Sequence, residues 1–134
     1  MPGNPQTTAL ADQYAALARN LDNLYVAVIS AGDGTDAVQI QNFQASLRQA
    51  ASDLYATDVI DTLTDQASQQ KLVNLTNALN AKNQQISAQQ AKLSTVFSLF
   101  ASLVTVATDL TLPVPNIVGG VSAAQQAITT IGSL

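Results

Sequence analysis

From residue 72 to residue 110 the chain places Leu72, Leu75, Leu79, Lys82, Ile86, Gln89, Leu93, Val96, Phe100, Leu103, Ala107 and Leu110 at alternating intervals of three and four. That spacing returns to one side of an α-helix at every step, whereas a strand would repeat every second residue. No Gly or Pro interrupts residues 68–112. The pattern therefore predicts one continuous spine helix through that stretch, on the order of 65 Å long at the standard rise. Pro113-Val114-Pro115 ends it, because proline has no amide donor and bars the helical conformation to the residue before it.

Shorter runs of the same kind flank the spine. Residues 1–7 read as a loose leader containing Pro2, Gly3 and Pro5. Thr7 or Thr8 is placed to cap a helix over 8–31, whose seam is Leu10, Tyr14, Leu17, Leu21, Leu24, Val28 and Ala31. It stops at Gly32-Asp33-Gly34. Thr35 or Asp36 caps a second helix with Ile40, Phe43, Leu47, Ala50 and Leu54 on its seam, so residues 8–57 form a helical hairpin. Asp58 opens a short segment with Val59, Ile60 and Leu63 on one face, which leads into the spine and makes 58–112 one long helical stretch. Asn116 caps a last helix over 116–133, with Gly119-Gly120 near its start. The expected fold is all-α: a single domain over 1–134, built as an antiparallel bundle of four or five long amphipathic helices around one heptad-patterned spine.

The second half of the spine raises a difficulty. Val96, Phe97, Leu99, Phe100, Leu103, Val104, Val106, Leu110 and Leu112 point in nearly every direction, and a helix apolar all round must be buried all round. A hairpin and one last helix cannot cover it along a straight spine. Three solutions follow. The spine breaks near Lys82–Gln90 and folds back; or copies of the chain cover one another; or the 93–131 hairpin enters a membrane, although its Ser and Thr residues make Leu93–Leu112 a poor autonomous span.

Composition removes most chemistry. The chain has no Cys, His or Trp, and all nine acids are Asp. That excludes thiol nucleophiles, disulfides, zinc thiolate sites, Ser-His-Asp triads and imidazole ligands, so no enzymatic role and no cofactor are expected. Only 10% of residues are charged, against roughly 25% in an average soluble protein. With a net charge of −4 and five scattered cations, Arg19, Arg48, Lys71, Lys82 and Lys92, there is no basic stripe for nucleic acid. The first cation is Arg19 and no apolar run follows the start, which does not read as a secretory signal. The composition suits an extracellular or particle-bound protein without fixing a compartment.

Local motifs reduce to structural readings. Asp58, Asp61 and Asp65 stand at i, i+3 and i+7, but Asp near a helix start is favoured by the caps and the dipole, and a metal site recruits a second segment. Asp33-Gly34-Thr35-Asp36 lacks the acidic twelfth position of a calcium loop, where Gln44 stands. Asn74-Leu75-Thr76 is a glycosylation triplet in mid-helix. The pairs Ser98/Ser102 and Ala101/Thr105 permit close helix approach. Lys82 and Gln89 are polar positions on the spine seam and are candidates for setting register or oligomer state.

Long polar helices ending in an apolar hairpin resemble the layout of α-helical pore-forming toxins. Low charge with sustained heptads is similar to helical subunits of extracellular filaments. Both are likenesses of layout, and no residue role follows from them. The function expected is that of a non-catalytic structural or adaptor protein, acting as a homo-oligomer or on a protein partner. Its contact candidates are Leu93, Val96, Phe97, Phe100, Leu103, Val104 and Leu110. The alternatives are a membrane-active protein that inserts the 93–131 hairpin and a carrier of apolar ligands.

Overall fold

The computed structural model describes residues 5–88 and 92–134, less the side chains of residues 61 and 62. Every regular element among them is helical: α1 Pro5–Ser30, α2 Gly34–Ala56, α3 Val59–Thr62, α4 Gln66–Ser87, α5 Leu93–Leu110 and α6 Ile117–Gly132. The helices pack as a bundle around one core.

The element ends are set by local hydrogen bonds. At the end of α1, Gly32 adopts φ +85, where a Cβ would be strained. This lets the Asp33 amide bond Val28 O at 3.2 Å and the Gly32 amide bond Ile29 O at 3.0 Å, which satisfies the terminal carbonyls. Asp33, rather than Thr35 or Asp36, then caps α2, its carboxylate accepting from the Asp36 amide at 3.0 Å. Thr7 likewise departs from expectation. The first helix already runs from Pro5, a residue tolerated in a first turn. Thr7 is buried within it and accepts from the Ile60 amide at 3.3 Å, so it serves the start of α3 instead. Asp65 and Asn116 cap α4 and α6 through the Ala67 and Gly119 amides, at 3.0 and 3.1 Å.

Two hairpins and one intervening helix build the bundle. In α1 and α2 the contacts run in opposite order, Gln44 bonding Ala18 O and Asp22 while Tyr55 donates to Asp12. In α5 and α6, Asp109 O accepts the Asn116 amide at 2.8 Å, and a Cβ on Gly120 would stand 2.6 Å from Leu110. Glycine at 119 and 120 is therefore what lets α6 approach α5 so closely. Between α1 and α4 the order is the same in both helices, Gln13 bonding Asn80 and Asn20 bonding Asn83. Helix α4 also packs on α6, and α5 packs on α2 and α6. Neighbours in this bundle thus run in both senses.

The continuous helix over 68–112 is divided. Helix α4 ends at Ser87, and Ala88 closes it with its amide on Gln85 O and Ile86 O; the next helix starts at Leu93. The physical reason is coverage. Folding back places Val96, Leu99, Phe100, Leu103, Val106 and Leu110 at full burial. Six such side chains contribute on the order of 10–18 kcal/mol relative to exposure. A few solvent-exposed helical hydrogen bonds, at roughly 1 kcal/mol net each, do not outweigh that. Seam residues Leu72, Leu75, Leu79 and Ile86 are buried in α4, as are Val96, Phe100, Leu103, Ala107 and Leu110 in α5.

Helix α5 is also not apolar all round. Ser94, Ser98, Ala101, Thr105 and Thr108, themselves at intervals of four and three, form an exposed stripe. Two of the stripe's hydroxyls turn onto their own helix, Ser98 donating to Ser94 O at 3.1 Å and Thr105 to Ala101 O at 2.9 Å. The core opposite is anchored by Tyr14, fully buried, which donates to Leu103 O at 2.7 Å. Phe43, Phe97 and Phe100, all the phenylalanines of the chain, cluster between α2 and α5 with centroids 5.5 to 6.5 Å apart.

Candidate association surface

Of the seven contact candidates read from the sequence, Val96, Phe100, Leu103 and Leu110 lie in the chain's own core. Leu93, Phe97 and Val104 are half-buried against it. The fold brings all seven onto one helix, but it turns most of them inward. Lys82 is half-buried on α4, and Gln89 lies outside the described residues. A surface for association must therefore be sought in what the helices leave outside.

The α1/α4 seam is polar. Gln13 Nε2 donates to Asn80 Oδ1 at 3.3 Å and Asn20 Nδ2 to Asn83 Oδ1 at 2.5 Å. Asn83 is 8% exposed, and its Nδ2 has no hydrogen-bond partner among the described residues. Gln13, Asn20, Asn80, Asn83 and Gln84 line an open cleft of about 460 Å³ here. Buried Asn83 and half-buried Asn20 thus form a polar pair between two helices running the same way, an arrangement that can set register at a cost in stability. The sequence offers Lys82 and Gln89 as candidates for that role; Asn83 stands one residue beyond Lys82, and Asn20 lies off the first seam. Only the packing of α4 against α1 joins the two.

The outward face of α5 and α6 carries hydroxyls and amides. Ser98, Ser102, Gln125, Gln126, Thr129 and Thr130 line a shallow cleft between the two helices. From Leu93 to Leu134 the sequence holds a single charge, Asp109. Where α5 turns into α6, large aliphatics come out of the core: Leu112 is exposed, and Val114 and Val118 are 84% and 82% accessible. Val26, Ile29 and Val38 are exposed around the α1–α2 turn. Because Tyr14 meets Leu103 while Phe43 meets Phe97, that turn lies at the end of the bundle where α5 begins, away from the Leu112–Val118 tip.

The acidic motifs act as caps and ties. Asp65 caps α4, Asp33 caps α2, and Asp58 precedes α3; the Asp61 side chain lies outside the described residues. Asp36 has its pKa raised by its hydrogen bond with Asp33, with a lesser part from that neighbour's charge. The Tyr55 hydroxyl is raised because it donates to Asp12. Among the described residues no group of three carboxylates is gathered in a metal-binding arrangement. Comparison with protein-family models, with curated proteins and with solved structures gave no match to this chain.

Proposed function

We propose that the protein is a non-catalytic helical component that works by association, with further copies of itself or with a protein partner, through the tip formed by Leu112–Val118. The observation that carries this is the exposure of Leu112, Val114 and Val118 together at the end of a segment that holds only Asp109 as a charge. Burying an exposed valine contributes roughly 1.5–3 kcal/mol, so a cluster left in water favours a covered state. The absence of Cys and His from the sequence supports a role without catalysis. The long helices alternate up and down in chain order in this reading, with α4 laid between two hairpins.

Light scattering coupled to size-exclusion chromatography, with small-angle X-ray scattering, tests the proposal. The wild-type chain is expected as a multimer that Val114→Asp/Val118→Asp reduces to the 13.9 kDa chain. A wild-type chain that stays monomeric at high micromolar concentration, in the absence of any partner captured by the tip, overturns it. A second reading has one observation in its favour. Leu93–Leu110 is long and apolar enough to cross a membrane, and part of it is accessible. Insertion of the α5–α6 hairpin then predicts liposome binding that Phe97→Asp abolishes; unchanged binding sinks it. Phe100, fully buried, tests the fold rather than the membrane.

A further inference from the structure

The groove between α1 and α2 holds two of the chain's five cations. Arg19 and Arg48 line one open cleft of about 320 Å³, together with Ala15, Ala51, Ser52 and Tyr55. The level is fixed by bonds on either side: Gln44 Nε2 donates to Asp22 at 2.8 Å above, and Tyr55 donates to Asp12 below. Those two bonds engage the carboxylates of α1 that flank Arg19, and they tie them to α2. Neither guanidinium makes a hydrogen bond or ion pair among the described residues. Two like charges thus line one cleft, with ten donors between them, beside two alanines whose short side chains leave room in it.

We propose that this groove is a binding site for a doubly charged phosphate group, held between Arg19 and Arg48 with the Ser52 hydroxyl as a further donor. The guanidinium fork matches two oxygens of a phosphate, and two forks on facing helices match the four oxygens of one. A dianion also balances both positive charges, whereas a single carboxylate balances one. Asp12 and Asp22 stand at the edges, so the attraction is local and the site is shallow. Its affinity is accordingly modest, in roughly the millimolar range, and falls as salt screens the pair.

The test is a titration followed by 1H–15N correlation spectra of the whole chain at about pH 8, where a phosphate is doubly ionised. Inorganic phosphate is added in one series and glycerol phosphate in a second; acetate and chloride at matched ionic strength are the comparisons. Expected is a saturating shift of the Arg19 and Arg48 Nε–H signals and of the Ser52 amide. Saturation with inorganic phosphate alone identifies a free-phosphate site, and saturation with glycerol phosphate a phosphomonoester site; either supports the proposal. Binding should weaken at least tenfold in R19Q/R48Q and persist in K71Q/K82Q, two cations outside the groove. Both variants replace exposed or half-buried side chains, and the dispersion of the same spectra reports whether they fold. Shifts that stay linear, that acetate reproduces at equal concentration, or that survive R19Q/R48Q overturn the proposal.

Discussion

Tyr14 ties the first hairpin to the second, and its removal should have opposite effects at neutral and alkaline pH. Its hydroxyl is wholly buried and donates to Leu103 O at 2.7 Å. Tyr14→Phe keeps the ring and loses one hydrogen bond, and the carbonyl it leaves is still an acceptor in the ladder of α5. Near pH 7 the cost should be about 1 kcal/mol. Burial raises the pKa of the Tyr14 phenol from its ordinary 10.0 to well above the usual tyrosine range. An acid with a raised pKa in the folded state holds its proton more tightly there than in the unfolded chain. Its stability contribution is therefore complete below about pH 10 and is lost above it, at about 1.4 kcal/mol per pH unit. The variant lacks that loss. Urea unfolding followed by circular dichroism, at intervals from pH 7 to about pH 11.5, should show wild type the more stable at neutrality. The two curves should cross between about pH 10.5 and 11. Because lysines and the other tyrosines titrate in both proteins, the difference between the curves isolates Tyr14. Curves that stay parallel through pH 11.5 would refute the reasoning, since they would mean that the phenol ionises without opening the α1–α5 contact.

Two further substitutions probe the packing. Gly120→Ala sets about 1 kcal/mol of helix propensity against a Cβ placed 2.6 Å from the Leu110 Cγ and Cδ2. Leu110 is fully buried and cannot swing away, so overpacking of about 1–3 kcal/mol should win; a rise in Tm instead of a fall of several degrees would show that α6 can shift. Asn83→Leu removes the unpartnered Nδ2 together with one bond to Asn20, which is half-buried and can turn to solvent. A gain of about 1 kcal/mol in urea unfolding is expected, and a loss would mean that a bound water or an alternative amide orientation already satisfies that donor.

Heptad patterning was enough to read the all-helical class from the sequence, and most seam residues of the first, second and fourth helices are buried, with Phe43 and Lys82 half-buried and Ala31 exposed. Asn116 and the Gly32 stop were also legible, because each acts within four residues of itself; Asp58 stands at the start of α3 without a side-chain capping bond. What escaped was decided at longer range. The end of α4 at Ser87 has no Gly or Pro to announce it; it follows from how much apolar surface α1, α2 and α6 can cover. The seven contact candidates are apolar, but which of them face outward depends on packing partners found only in the fold. The exposed stripe from Ser94 to Thr108 was present in the sequence at the same intervals as the seam. Serine and threonine in an apolar run do not by themselves distinguish a solvent face from scattered interruptions. The displacement of Thr7 from helix cap to support of Ile60 joins residues 53 apart, and no local rule reaches that far.

The Tyr14–Leu103 bond spans 89 positions of the chain. The contacts within α1–α2, and those within α5–α6, close short loops. Such hairpins form on the microsecond scale, and docking across distant segments follows once the entropy of the long loop has been overcome. The order expected from this topology is a slow meeting of the two hairpins, with α4 settling between them. Bonds completed only after that meeting would be absent from the barrier and would govern how fast the protein comes apart. Tyr14→Phe should accordingly speed unfolding and leave the folding rate nearly unchanged, whereas Gly120→Ala, acting inside one half, should slow folding itself. Persistence of the folded state would rest on the seam between the hairpins, and speed of arrival on the turns that begin them.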